Sequence, residues 1–154
     1  MIIDGKSVAL IAAGLTAVMG GIGSAWGVGL AGKSTSAVLS EKPNLFGQML
    51  VLQALPGTQG FYAFIAMFLA LGRINAATSI SIAQALQLIG ALLPAMFGEL
   101  ISAYWQAVAS CGAAQMVAKQ PESFGRAVII PALVETYAIL SLLATILLLG
   151  GVTL

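Results

Sequence analysis

Four long apolar stretches dictate most of what this chain can become. They cover residues 7–32, 46–72, 78–118 and 124–151, and the few charged residues gather mainly at their ends. Asp4 and Lys6 stand at the start; Lys33, Glu41 and Lys42 form one group, Lys119, Glu122 and Arg126 another, and Arg73 stands alone. Each stretch is long enough for the ~20 residues that carry a helix across a bilayer. Lipid offers the backbone no hydrogen-bond partner, and the stretches lack the period-two alternation of barrel strands. They are therefore read as four transmembrane helices of an all-α, multi-pass membrane protein. Only 7% of the residues are charged, against about 25% in an ordinary soluble domain. Water would not tolerate a surface made from this mixture.

The first stretch is too long for the apolar core of a signal peptide. With no histidine and one cysteine, Cys111, the chain offers no disulfide framework, histidine-based zinc site or Cys–His catalytic pair. Cys111 reads as a small packing residue.

A shift of 78 residues lays the two halves on each other without a gap. Gly20, Ser24, Ala25 and Ala31 fall on Gly98, Ser102, Ala103 and Ala109. Pro43, Phe46 and Gly47 fall on Pro121, Phe124 and Gly125, and Ala54, Leu55 and Thr58 on Ala132, Leu133 and Thr136. A fixed shift of this kind is a tandem repeat. The unit is helix, short polar loop with a proline, helix, so residues 1–76 and 77–154 are taken as two helical hairpins. Both loops then lie on one side of the membrane. They carry Lys33, Lys42, Lys119 and Arg126 against Lys6 and Arg73 on the other side, which places the loops in the cytoplasm and both termini outside.

The first helix holds Gly14, Gly20, Gly21, Gly23, Gly27, Gly29 and Gly32. Small residues at helical spacing, such as Gly20, Ser24, Gly27 and Ala31, let helices approach closely in lipid. They serve either packing within one chain or the tight inner layer of a homo-oligomeric ring. The run Gly27-Val-Gly-Leu-Ala-Gly32-Lys33-Ser34 also satisfies the phosphate-binding pattern GxxxxGK[ST]. A working version follows a strand and opens a helix, whereas this one closes a membrane helix, with the dipole reversed. Asp4 is the sole aspartate, so none follows to hold magnesium. Neither nucleotide nor nucleic-acid binding is expected.

Only Glu99 and Glu135 are charged residues deep inside the apolar stretches. A carboxylate at mid-bilayer costs ~3 kcal/mol on insertion scales, which makes each a functional candidate. Gln106 lies fourteen residues before the loop apex at Gln120, and Glu135 fifteen after it. In the first hairpin Thr58 and Gln59 stand sixteen and seventeen residues past Lys42. At ~1.5 Å per residue all four share one depth, within a helical turn. Glu135 supplies a charge, Gln59 and Gln106 amide oxygens, and Thr58 a hydroxyl. Pro56 disturbs the local hydrogen-bond ladder, and the backbone carbonyl of Leu55 is placed to join them. These are hard oxygen donors, and one carboxylate balances one monovalent charge, as a sodium ion requires. A proton is the alternative occupant, needing only Glu135 and one partner. Tyr62, a turn beyond Thr58, either fixes Glu135 by a hydrogen bond or packs between helices. Glu99, about 10 Å nearer the termini than Gln106, either lines an ion route or is a protonated structural glutamate bonded to a neighbouring helix.

With these residues in place, the whole chain resembles the duplicated four-helix proteolipids (K or c subunits) of bacterial V-type ATPases. The resemblance is carried by Leu55-Pro-Gly-Thr-Gln-Gly-Phe-Tyr62, by Gln106 and by Val134-Glu-Thr-Tyr-Ala-Ile-Leu140, and it points to the sodium-translocating members. It implies a non-catalytic subunit of the bacterial cell membrane that forms a rotor ring with copies of itself. It further implies an ion held by Glu135, Gln59, Gln106, Thr58 and the Leu55 carbonyl, with Tyr62 locking the glutamate. The implied partners are a stator subunit with an essential arginine, central-stalk subunits at the loops, and lipid. The repeat partner of Glu135 is Gly57, so one site would serve two hairpins. Glu99 stands outside the family pattern. A channel or purely structural ring is the competing reading, although the chain has few polar residues with which to line a pore.

Overall fold

The structure, a computed structural model, describes residues 4–154; residues 1–3 of the first half lie outside the described residues. The chain is helical almost throughout. Helix α1 spans Gly5–Glu41, and the next membrane crossing is made of α2 (Phe46–Ala54), a 3-10 turn (Leu55–Gly57) and α3 (Thr58–Ala76). Helix α4 spans Ile82–Lys119 and α5 spans Phe124–Gly151. Four segments, Gly5–Glu41, Pro43–Ala76, Ile82–Lys119 and Pro121–Gly151, are long and apolar enough to cross a membrane. The 37 residues of α1 extend about 55 Å, well beyond the ~30 Å of hydrocarbon. The helices therefore run past the apolar stretches into the polar layers. The GxxxxGK[ST] run lies inside α1 and does not end it, since the helix continues to Glu41. Its backbone N–H groups belong to the helix, and no phosphate-cradling loop can form there while it persists.

Helix ends are set by local chemistry. Asp4 caps α1, its carboxylate accepting the Ser7 N–H at 2.7 Å. Ser81 and Gln84 cap α4 reciprocally: Ser81 N–H donates to Gln84 Oε1 at 2.8 Å and Gln84 N–H to Ser81 Oγ at 3.2 Å. The two loops are built alike. Lys42 (φ −133°, ψ 70°) and Gln120 (φ −137°, ψ 82°) each close a helix, and Pro43 and Pro121 then open equivalent 3-10 turns. Proline suits that position because its missing N–H would have had no partner. The duplication seen in sequence is thus repeated in backbone geometry.

Helix α1 packs most extensively on α4, α4 on α5, and α1 on α3, while α3 and α5 meet over a shorter length. Glycine permits the closest approaches. A Cβ on Gly23 would lie 2.8 Å from the Leu100 Cα, and one on Gly27 would lie 2.8 Å from both the Ala103 carbonyl oxygen and the Pro56 Cβ. The small-residue stripe of α1 therefore serves packing within the chain. Gly14, Gly21 and Gly29 lie elsewhere on the helix with no neighbour within 4 Å.

Two apolar clusters hold the ends of the bundle. One, toward the termini, includes Ala9, Ile74, Leu88, Leu92 and Leu149; the other, toward the loops, includes Leu45, Met49, Leu52, Ala113 and Val117. Side-chain bonds to backbone carbonyls reinforce them, from Arg73 to Val152 and from Lys42 to Ala118. Cys111 Sγ sits 3.6 Å from the Leu30 oxygen, between helices. Between the two clusters lies a belt of buried polar side chains: Gln59, Glu99, Ser102 and Gln106.

Candidate cation-binding site

The belt is organised around breaks in helical regularity. Pro56 cannot donate to the ladder, and Leu55–Gly57 tighten into a 3-10 turn. The Thr58 N–H then reaches the Leu55 oxygen, which also accepts the Thr58 hydroxyl at 3.0 Å. The Leu55 carbonyl is thus twice hydrogen-bonded rather than free. The bond that Pro56 removes is the one toward Leu52, four residues back. Thr136, the repeat partner of Thr58, likewise donates to the Leu133 oxygen, at 2.7 Å, so this local bond belongs to both hairpins. Pro131 lies within α5, and its carbonyl accepts Gln106 Nε2 at 3.1 Å.

Around these breaks the side chains interlock. Glu135 is half-buried and receives two hydrogen bonds, from Tyr62 at 2.7 Å and from Gln106 Nε2 at 3.2 Å. Gln59 and Gln106, both 0% exposed, join at 2.5 Å through Gln59 Nε2 and Gln106 Oε1. The Thr58 hydroxyl lies 3.4 Å from Gln59 Oε1. Glu135, Gln106, Gln59, Thr58, Leu55 and Tyr62 are therefore one connected network spanning α3, α4 and α5. Tyr62 does not merely fill space, because its hydroxyl bonds Glu135.

Glu99 stands apart. It is 0% exposed, yet neither carboxylate oxygen has a hydrogen-bond partner among the described residues. The expected bond to a neighbouring helix is not made. Conversely, three contributors go unread in the sequence. Ser102 accepts Gln59 Nε2 at 3.4 Å and donates to the Val134 oxygen at 3.3 Å, and Pro131 supplies the carbonyl already described. Ser24 accepts the Gly60 N–H at 2.7 Å, on the turn that follows the proline break. The signal was available: Ser24 and Ser102 are repeat partners, but Ser24 read only as a small packing residue and Ser102 only as its counterpart.

A half-buried acid with two buried amides, a hydroxyl and a main-chain oxygen is a hard-donor set for a small cation. The Gln106 amide turns its NH2 end to Glu135 in this arrangement. An amide carries a donor at one end and an acceptor at the other, so half a turn would offer oxygen in place of nitrogen. If Tyr62 holds the acid closed, Tyr62→Phe should weaken cation binding by about tenfold, the scale of one hydrogen bond to a charged group. Equilibrium binding of radioactive sodium to the purified protein measures this, and an unchanged affinity would reduce Tyr62 to a packing role.

Fold and site together define an integral membrane protein built from two helical hairpins, with polar ion-ligand chemistry confined to a belt between apolar cores. Residues 11–70 and 89–148 each match the ATP synthase C-subunit family, and the two spans are offset by the same 78 residues as the internal repeat. The chain belongs to this family, with its domain present twice. It is 41% identical over 144 residues to the V-type sodium ATPase subunit K of Enterococcus hirae, an alignment covering 94% of this chain and 91% of that one. It is 36% identical over 150 residues to the A-type ATP synthase subunit K of Methanocaldococcus jannaschii, covering 97% of this chain and 65% of the relative.

Proposed function

We propose that this protein is a rotor-ring subunit of a V-type rotary ATPase, and that it carries one sodium ion per chain across the membrane on Glu135. The single observation that carries the reading is the hydrogen-bonded network linking Glu135 to Gln106, Gln59, Thr58 and Tyr62. A proton would need only Glu135 and one partner; two fully buried glutamines are explained by an ion that takes oxygen ligands. Similarity to a sodium ATPase subunit supports the same occupant.

In the loaded state Glu135 balances the ion's charge, and Gln59, Gln106, Thr58 and the Leu55 carbonyl supply the remaining oxygens. Tyr62 holds the carboxylate closed against α3. Unloading requires a competing positive charge near Glu135, which a stator arginine would provide. The chain itself performs no catalysis. Hydrolysis takes place in a soluble head, which turns the ring through central-stalk subunits seated on the loops. The loops face the cytoplasm and both termini the outside of a bacterial cell membrane, in keeping with the distribution of basic residues.

Ring assembly is supported by what a single chain leaves open. Phe61 is 71% and Tyr137 68% exposed. Apolar grooves of about 420 Å³, lined in part by Ile101, Trp105 and Tyr137, and about 460 Å³, lined in part by Gly57, Gly60 and Phe61, flank the two hairpins. Gly14 and Gly21 on α1 remain available for close approach by another copy. Gly57 occupies the repeat position of Glu135, so each pair of hairpins carries a single ion. With fewer ions per turn, each ATP can drive its ions against a steeper potential, at ~2.3 kcal/mol per charge per 100 mV. That gearing suits a pump.

Carbodiimide labelling tests the site and the ion together, because the reagent attacks a protonated carboxyl. Labelling should map to Glu135, and added sodium should suppress it, so that progressively lower pH is needed for reaction. Labelling at Glu135 that ignores sodium would make the coupling ion a proton.

A further inference from the structure

Glu99 has no part in the network just described, and its surroundings leave it few options. It is enclosed where helices approach most closely. Gly20 on α1 abuts Ala63 on α3, Gly23 on α1 abuts the Leu100 backbone, and a Cβ on Gly98 would collide with Ser141 on α5. The side chain is 0% exposed, and both of its oxygens lack partners among the described residues. Among the titratable groups of the polar belt are Tyr62 on α3 and Glu135 on α5, which are hydrogen-bonded to each other and not to Glu99. No basic side chain lies at this depth. On α1 the lysines are Lys6 and Lys33, and on α4 the sole one is Lys119; Lys42 lies in the first loop, Arg73 at the far end of α3 and Arg126 at the loop end of α5. An ionised carboxylate here would be a buried charge without a counter-ion. The neutral acid is the form that an apolar, cation-free enclosure can hold.

We infer that Glu99 is a resident proton site: a carboxylic acid that keeps its proton through the transport cycle and does not exchange it for the carried ion. The inference rests on the assignment of Glu135 as the sodium carrier, since only then does one acid in the bundle ionise and the other not. It explains how a chain with two acids inside the membrane can move one charge. It also means that Glu99 contributes no negative charge to the ion's path.

The test is infrared spectroscopy of the purified ring at neutral pH with saturating sodium. Asp4, Glu41 and Glu122 are exposed and exchange at once in heavy water, and a Glu135 that balances a sodium ion contributes no protonated band. One protonated carboxyl per chain, slow to exchange in heavy water, is expected, and Glu99→Gln should remove it. The same variant should bind sodium within threefold of the wild type and retain ATP-driven sodium uptake, since glutamine mimics a neutral acid. Absence of the protonated band in the sodium-loaded wild type, or loss of uptake in the variant, would overturn the inference. Should Glu99→Gln fail to assemble, Glu135→Gln supplies the second measurement: its ring must keep one protonated carboxyl with or without sodium. Two protonated carboxyls per chain in the wild type, insensitive to sodium, would uphold Glu99 and reject Glu135 as a sodium carrier.

Discussion

Replacing Glu135 by glutamine in every copy should reduce ATP-driven sodium uptake by the assembled complex to background. Glutamine keeps the shape, and its one amide oxygen can still accept the Tyr62 hydroxyl. Its NH2 then faces the Gln106 Nε2 donor, so that one contact is lost, and the ring should still assemble. What disappears is the negative charge. At an effective dielectric of about 20, a unit pair 4 Å apart is worth ~4 kcal/mol, which is roughly a thousandfold in affinity. The amide and hydroxyl oxygens that remain are neutral, and they cannot balance an ion held between two apolar cores. Uptake of radioactive sodium into vesicles carrying the variant complex measures the effect, with intact ring size on a native gel as the control for assembly. A correctly sized ring that still transports sodium would transfer the carrier role away from Glu135. A channel or a purely structural ring predicts that outcome, since neither needs an acid that loads and unloads.

Much of this protein was legible in its sequence, because the bilayer removes most alternatives. Four membrane-crossing helices follow from length and apolarity alone, although α1 runs on to Glu41, past the stretch that ended at residue 32, and α4 starts at Ile82 and not at residue 78. The 78-residue shift gives the hairpins without any reference to structure. Depth was legible for the same reason. Along a straight helix, counting residues from a loop measures distance, and counting places Gln59, Gln106 and Glu135 on one level, where hydrogen bonds join them. The directions of the bonds were not legible. Leu55 reads in sequence as a free oxygen, yet it accepts the Thr58 hydroxyl, as Leu133 accepts that of Thr136 within α-helix, and the tighter 3-10 winding adds the Thr58 N–H. Prolines are ambiguous in a similar way. Pro56 interrupts its crossing with a 3-10 turn, whereas Pro94 and Pro131 sit within continuous α-helix. Beside Pro94, Thr145 takes up the Ala95 N–H at 3.0 Å; the carbonyl that Pro131 deprives of a donor is that of Ala127, and the bond from Gln106 to the Pro131 carbonyl is an added contact. Such compensation comes from a facing helix and leaves no mark on the local sequence. Glu99 shows the same limit. Its depth could be counted, but the lack of any bonding partner depends on four helices closing around it.

The network also separates sodium from a proton as the cargo through Gln106. Gln106→Leu should raise the sodium concentration that protects Glu135 from carbodiimide by about 10–100-fold, while reaction at low pH continues. Leucine is close in volume to glutamine, so the core between Ala103 and Ala107, both 0% exposed, stays filled. The loss is therefore chemical. Gln106 is the hub at which Pro131, Glu135 and Gln59 meet, and its removal leaves the Gln59 amide and the Pro131 carbonyl without that partner. The affinity change comes from the ligand oxygen lost to the ion: a polar bond to a charged group is worth about 1.5–3 kcal/mol, and at ~1.4 kcal/mol per decade its loss gives the stated range. A proton bound to Glu135 needs no amide oxygen and keeps Tyr62 as its partner, so its binding should change far less. The two ions thus respond unequally to one substitution. Equal weakening of sodium protection and of low-pH labelling would mean that Gln106 only supports the fold around Glu135, and the case for sodium would lose its chemical basis in this chain.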